Sequence, residues 1–223
     1  MKAIKRLKDY GIKTENRTYV IAEIGINHGG DITTAKRLVE SAARAGVDAV
    51  KFQTYITEKR APAGNQTIFD ILKKCGLPFE AFKELKEHAA KQKVDFFSTP
   101  FDLESLRYLE ALGCDLYKVA SFDVVNRQLL KAVADTKKTV IMSVGMSDLE
   151  EIRSAYEILK KGTSNVALLH CISSYPAGEN DAELAVIYKL QVEFDCIIGQ
   201  SDHTPDIIVP LYAVAAGAQI IEK

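Results

Sequence analysis

The sequence has almost no net charge to offer a partner. Its 29 basic and 30 acidic residues leave a formal net charge of −1. That excludes general electrostatic attraction to nucleic acid or an anionic membrane and confines any anion site to a local cluster. No apolar run approaches the length of a membrane span, and the N-terminus, MKAIKRLKDY, is charged throughout and does not read as a signal peptide. A cytoplasmic location is expected, and the sequons at Asn16 and Asn65 read as chance matches. The four cysteines, Cys75, Cys114, Cys171 and Cys196, lack CxxC or Cys/His zinc spacing, and three of them lie in or beside apolar strands, so reduced, buried thiols are expected. A Gly-rich phosphate loop is missing too. GINHGG after the first apolar run is not GxGxxG, which argues against an open doubly wound sheet.

What is present is a repeated βα rhythm in 223 residues, 47% of them hydrophobic, enough for one large core. Residues 19–53 make one complete unit. A short β-branched run begins it; Asp31 and Thr33 can cap a helix carrying Ala35, Leu38, Val39 and Ala42 at helical spacing; Gly46 supplies the stop; a second buried run closes it. The pattern predicts strands starting near 19, 49, 95, 116, 139, 166, 197 and 219, with helices between them. Ser147 and Glu150 are expected to form a capping box for the helix that ends at Gly162. Residues 55–78, punctuated by Pro62, Gly64, Gly76 and Pro78, interrupt the rhythm and are expected to be a long loop covering a site. Residues 1–18 read as a polar lead-in over one barrel end, and residues 19–223 as a (β/α)8 TIM barrel. The chain is shorter than the roughly 250 residues typical of that fold. It is therefore expected to lack the eighth helix.

Active sites of such barrels lie at the C-terminal strand ends. There the sequence puts Glu23, Lys51 with Gln53, Ser98 and Thr99, Lys118 with Ser121, Ser143, His170 with Ser173, Ser201 with His203, and Glu222 with Lys223. Any one of these is ordinarily a solvated or hydrogen-bonded group. The lysines Lys51 and Lys118, several hydroxyls and exposed backbone donors at one mouth describe a pocket for a small, highly charged anion such as a phosphorylated carboxylate.

The same strand ends read as motifs: AEIGINHGG, VKFQTY, FFSTPFD, YKVAS, SVGMS, LLHCISSYP, GQSDHT and IIEK. Together, in this order, they resemble the sialic acid synthase (N-acetylneuraminate synthase) family, over about residues 19–223. The resemblance implies condensation of phosphoenolpyruvate with an N-acylated hexosamine and water, giving a nine-carbon 2-keto sugar acid and phosphate. It implies that Lys51, Thr99, Lys118, Ser121, Ser143, Ser173 and Ser201 hold phosphoenolpyruvate. Glu23, Gln53, Tyr175 and Glu222 would serve the sugar, and Glu23, Lys51 and His203 the catalysis. His203 would ligate a divalent metal, Mn2+ or Mg2+, acting as a Lewis acid on the sugar aldehyde. Glu23 would direct water or help open the sugar ring. The full-length protein is expected to be a homodimer, without nucleic acid or membrane as partner.

The chain departs from the family pattern in several places. Members carry a second metal histidine directly after IEK, where this chain ends at Lys223, and a small C-terminal antifreeze-like domain. Many have Asn in place of Ser173 and Thr in place of Val144. Half a metal site, and little turnover, is therefore expected of residues 1–223 by themselves. Two other readings stay open: a phosphoenolpyruvate-dependent synthase making a shorter keto acid from a phosphorylated aldose, and a barrel that binds an anion or partner without turnover.

Overall fold

The first apolar run forms β1 (Tyr19–Gly25), followed in chain order by β2 (Ala49–Thr54), β3 (Asp95–Pro100), β4 (Leu116–Val119), β5 (Thr139–Ser143), β6 (Val166–Cys171), β7 (Ile197–Ser201) and β8 (Ile220–Glu222). In the computed structural model, which describes residues 7–11, 17–61 and 64–223, these strands close into a barrel in sequential order. The pairs along it are parallel, for example Glu23 opposite Lys51 and Gln53 opposite Thr99. With helices alternating along the chain, this is the expected (β/α)8 barrel. By packing, the chain forms two compact units. One is Ile21–Tyr117; the other is Lys118–Lys223 together with the described residues that precede Ile21.

In the unit Ile21–Tyr117, helix α1 (Ile32–Arg44) starts where Asp31 accepts from the backbone nitrogens of Thr33 and Thr34. It ends ahead of Gly46, whose φ of 81° is left-handed. Ala35 and Val39 of α1 pack with Val50 and Phe52 of β2, and with Phe82, Leu85 and Ala89 of a later helix, all fully or almost fully buried. Each of the valine, leucine and phenylalanine side chains among them contributes about 1.5–3 kcal/mol of hydrophobic stabilisation.

The expectation of a long loop at residues 55–78 is corrected. The segment holds two helices, α2 (Thr57–Arg60) and α3 (Gln66–Cys75), before α4 (Phe79–Lys91) resumes the repeat. Asn65 caps α3 by accepting from Ile68 N, and the buried Leu72 lends its carbonyl to the Tyr55 hydroxyl at 2.9 Å. Gly76 ends α3 and Pro78 precedes α4, so their punctuation reads as loop although the interior is helical. Asp102 begins α5 (Leu103–Ala111), accepting from Ser105 N at 2.8 Å.

In the other unit, α6 (Arg127–Asp135) is capped by Asn126, and α7 (Leu149–Lys160) by a capping box of Asp148 with Glu151. The expected box of Ser147 with Glu150 is thus shifted by one residue. Both spacings satisfy the motif, and the carboxylate of Asp148 takes the Glu150 and Glu151 nitrogens at 2.9 Å. Helices α8 (Ala185–Glu193) and α9 (Ile208–Ala215) complete the run. The strands expected to run to Ser121, Gly145, His203 and Lys223 end earlier, at Val119, Ser143, Ser201 and Glu222. Ser121 does not extend β4 but opens a 3₁₀ turn, Ser121–Asp123, and His203 lies past the end of β7.

Of the expected lead-in, residues 1–6 and 12–16, Asn16 among them, lie outside the described residues. Leu7–Tyr10 is a 3₁₀ helix whose buried Tyr10 accepts, through its carbonyl, from Thr139 Oγ1 at the start of β5. The four cysteines are free thiols, as expected, but only Cys114 and Cys171 are buried, whereas Cys75 and Cys196 are half-buried. Among the described residues no helix is long and apolar enough to cross a membrane.

Candidate functional site

Glu23, Lys51, Gln53 and Thr99 come together at the strand ends of the unit Ile21–Tyr117. Lys51, 5% exposed, places Nζ 2.6 Å from Glu23 Oε2 and 3.4 Å from Thr99 Oγ1. Gln53 Nε2 donates to the other Glu23 oxygen at 3.2 Å. Lys51 and Gln53 stand two apart on β2 and share a face, so both reach the carboxylate that β1 holds opposite Lys51. The local backbone makes room for that carboxylate. Gly25 has φ 55°, and a Cβ there would lie 2.7 Å from Glu23 Oε1. Ser98 is turned elsewhere, sharing a hydrogen bond with Thr54 Oγ1 at 2.8 Å.

The second lysine is built in the same way within the other unit. Lys118, 2% exposed, donates to Ser143 Oγ at 2.6 Å and to the Val119 carbonyl at 3.2 Å, and lies 3.7 Å from Glu222 Oε1. Ser201 donates to the same glutamate oxygen at 2.8 Å. Glu222, expected on the sugar side, therefore stands with Lys118 and Ser201. A buried ammonium is tolerated only beside a carboxylate and hydrogen-bond acceptors, and both lysines meet that requirement through strand-end neighbours.

Ser121 and Ser173 meet at Gly145. Gly145 N donates to Ser121 Oγ at 3.0 Å. A Cβ on Gly145 would sit 2.6 Å from Ser173 Oγ and 2.7 Å from the Cys171 carbonyl, so only glycine leaves the two hydroxyls this close to the backbone.

His203 is held from several sides. Its Nδ1 lies 2.7 Å from the Ile172 carbonyl and 3.8 Å from Cys171 Sγ, and its own carbonyl accepts from Ala177 N at 3.0 Å. Tyr175, 78% exposed, lays its ring on the imidazole, the ring centres 4.0 Å apart. A carbonyl only accepts, so Nδ1 carries the hydrogen and, in the neutral ring, Nε2 keeps the lone pair, as a metal ligand requires. Burial works against protonation of this ring. The Cys171 sulfur, the Ile172 carbonyl and Glu222 favour it, and the balance lies above the ordinary histidine value. For Cys171, burial pushes the thiol up, but His203, Ser121 and Lys118 pull it further down. His203 fits one position of a divalent ion's coordination shell. Among the described residues no three His, Cys, Asp or Glu side chains gather into a fuller cage.

His170 turns away from this group. Its Nε2 hydrogen-bonds to the Ala182 carbonyl at 2.7 Å, and burial lowers its pKa against the pull of that carbonyl and Glu183. It is a satisfied structural histidine. Sequence reasoning missed Cys171, Gly25 and Gly145 as parts of the site. For Cys171 a signal existed, since it stands two residues before Ser173. It also missed Asp202, a buried carboxylate that receives Lys223 Nζ at 2.5 Å.

Known proteins resemble the chain along nearly all its length. An N,N'-diacetyllegionaminic acid synthase of Campylobacter jejuni is 40% identical, the match covering 93% of this chain and 67% of the relative. An uncharacterised protein of Methanocaldococcus jannaschii is 44% identical over 92% of this chain and 61% of its own length. The crystal structure of an N-acetylneuraminic acid (sialic acid) synthetase from Leptospira borgpetersenii, in complex with citrate, superposes with a TM-score of 0.91 at 43% identity. That alignment covers 93% of this chain and 73% of the other. The chain thus spans about two thirds or less of the length of these curated relatives. Residues 38–223 match the NeuB family, and with its barrel, its strand-end motifs and its relatives, the chain belongs to that family.

Proposed function

We propose that the chain carries the barrel of a synthase that condenses phosphoenolpyruvate with an N-acylated hexosamine and water, releasing phosphate and a nine-carbon 2-keto sugar acid. The observation that carries this reading is the repeated arrangement of a buried strand-end lysine beside a glutamate and a hydroxyl. Lys51 stands with Glu23 and Thr99, and Lys118 with Glu222 and Ser143. Each lysine is buried beside a carboxylate, ready to exchange part of that contact for a substrate anion. The names of the synthase relatives support the reaction class.

In this reading Lys51, Thr99, Lys118, Ser121, Ser143, Ser173 and Ser201 hold the phosphate and carboxylate of phosphoenolpyruvate. The enol carbon forms the new C–C bond to the aldehyde carbon of the opened sugar, whose oxygen takes up a proton and becomes a hydroxyl. The carbon bearing the phosphate becomes cationic and takes up water, which loses a proton. Phosphate then departs from the tetrahedral adduct as the adduct's hydroxyl gives up its proton to the departing phosphate oxygen, leaving the ketone. Glu23, oriented by Lys51 and Gln53, is the carboxylate that takes the proton from water or assists ring opening. The lysines offset the charge on the departing phosphate. His203 would hold a divalent ion, Mn2+ or Mg2+, which supplies Lewis-acid polarisation of the acceptor carbonyl when bound. Tyr175, exposed with its ring tilted against that of His203, faces the acceptor with Gln53 and Glu222 and discriminates among acyl groups. The same reading carries a homodimer for the full-length protein and a cytoplasmic setting.

Calorimetry with phosphoenolpyruvate tests the site. Lys51→Ala and Lys118→Ala should each weaken binding about tenfold or more, since a charge-assisted contact contributes about 1.5–3 kcal/mol. Unchanged affinity in both variants overturns the assignment. Phosphate release across a panel of N-acylated hexosamines then tests the reaction. Binding without release by a protein extended past Lys223 would make the barrel an anion-binding module instead.

A further inference from the structure

We infer that Asp202 and Lys223 form a pair that positions the His203 ring. This rests on the function proposed above, in which His203 faces the acceptor. Asp202 immediately precedes His203, and its side chain is 2% exposed. That carboxylate gathers three donors: Lys223 Nζ at 2.5 Å, Thr204 Oγ1 at 2.8 Å and Gln200 Nε2 at 3.4 Å. Lys223 Nζ also donates to the Thr204 carbonyl at 2.6 Å. One ammonium from the end of β8 therefore fastens the residue before His203 and the residue after it. The backbone joins the same tie, because Asp202 N donates to the Glu222 carbonyl at 2.8 Å.

His203 lies past the last residue of β7, where no ladder constrains it. What fixes it is the turn on one side and the β6 side on the other, where Ile172 takes Nδ1 and Ala177 donates to the His203 carbonyl. A plain structural ion pair would be expected to join two elements at any convenient place. This one closes around a single residue, from both of its chain neighbours. Without the lysine charge, the buried Asp202 carboxylate would keep only neutral donors, and the less costly outcome is to swing toward water. That swing would rotate the attached His203 and pull Nδ1 from Ile172. The pair thus acts at one remove, as outer-shell partners of ligating histidines do. Asp202 and Lys223 are positioning residues, not groups that touch substrate.

The test is made on the 223-residue chain with 15N-labelled histidine. The Nδ1 hydrogen of His203, shielded by the Ile172 carbonyl, should give a slowly exchanging imidazole signal, identified by its loss in His203→Gln. Lys223→Arg should keep that signal. Lys223→Met and Asp202→Asn should lose it while retaining the parent circular dichroism spectrum and phosphoenolpyruvate affinity. Mn2+ added as a probe should broaden the His203 ring resonances in the parent, and about tenfold more ion should be needed in those two variants. An unchanged signal and unchanged Mn2+ response in both would overturn the inference. Loss of fold in both would overturn it equally, because the pair would then hold the barrel and not the ring. Failure of the parent to bind phosphoenolpyruvate would instead count against the proposed function, while the ring signal would still decide this one.

Discussion

Glu23 and Lys51 are register partners on β1 and β2, and their side chains meet again with Oε2 and Nζ 2.6 Å apart. The pairing depends on a residue that makes no polar side-chain contact at all. At Gly25 the backbone is left-handed and a Cβ would press on the other Glu23 oxygen, at 2.7 Å.

Gly25→Ala should therefore do two separable things. Left-handed backbone costs an alanine about 1–2 kcal/mol, and the Glu23 carboxylate must move off Lys51 and Gln53. Gly46→Ala is the matching control, since Gly46 has φ 81° with nothing within 4 Å of the added Cβ. Urea denaturation should show the larger stability loss for Gly25→Ala, because Lys51 is then left buried without its carboxylate. Phosphoenolpyruvate affinity should fall only in Gly25→Ala. Equal ligand binding in the two would mean that the Glu23 position does not matter to the anion.

Asp102 ties two strand-end segments of one unit together. Its carboxylate accepts from Ser105 N and Ser105 Oγ, both at 2.8 Å, and from Ile56 N at 2.9 Å, with the side chain buried. Asp102→Ala removes a helix cap, at about 1 kcal/mol, and strands the Ile56 donor, at about 1–3 kcal/mol. A loss of about 2–4 kcal/mol in urea unfolding is expected. Asn at this position, which keeps one acceptor oxygen, should lose less. A change below about 0.5 kcal/mol in Asp102→Ala would show that water replaces the carboxylate without cost.

His170 makes the fold sensitive to acid. Burial, the larger effect, holds its folded pKa below the ordinary value, although the Ala182 carbonyl and Glu183 oppose it. The unfolded chain takes up this proton near pH 6.5, and the folded chain only at lower pH. Unfolding therefore binds protons in that window, so the contribution is complete above about pH 6.5 and is lost as pH falls toward the folded pKa. His28, lowered by burial as well, adds in the same direction, whereas His203, raised, contributes in the opposite sense. Stability measured at descending pH should decline less steeply in His170→Gln than in the parent. Parallel declines would show that His170 protonates equally in both states.

The barrel was readable because its signals are local. β-branched runs, amphipathic helices and stops such as Gly46 recur along the chain, and each is decided by a few neighbouring residues. For the same reason the strand-end lysines, serines and glutamates could be named in advance, since a residue's place at the end of a strand follows from the strand. The sequence by itself also determined which family the chain resembles. Where two local signals competed, sequence reasoning failed. Asp148 displaced Ser147 as the cap because a carboxylate takes two backbone nitrogens, and Asn65 with the buried Leu72 turned an apparent loop into a helix.

Only the tertiary structure decided who pairs with whom. Glu222 stands beside Lys118, His170 turns to Ala182 while Cys171 turns to His203, and Lys223 reaches back to Asp202. These partners are separated by about a dozen to a hundred residues in sequence, except for His203 and the turn that holds it. Their meeting is set by strand register and by alternation of side chains across the barrel wall, which place a residue on one face or the other without leaving any mark in the composition around it.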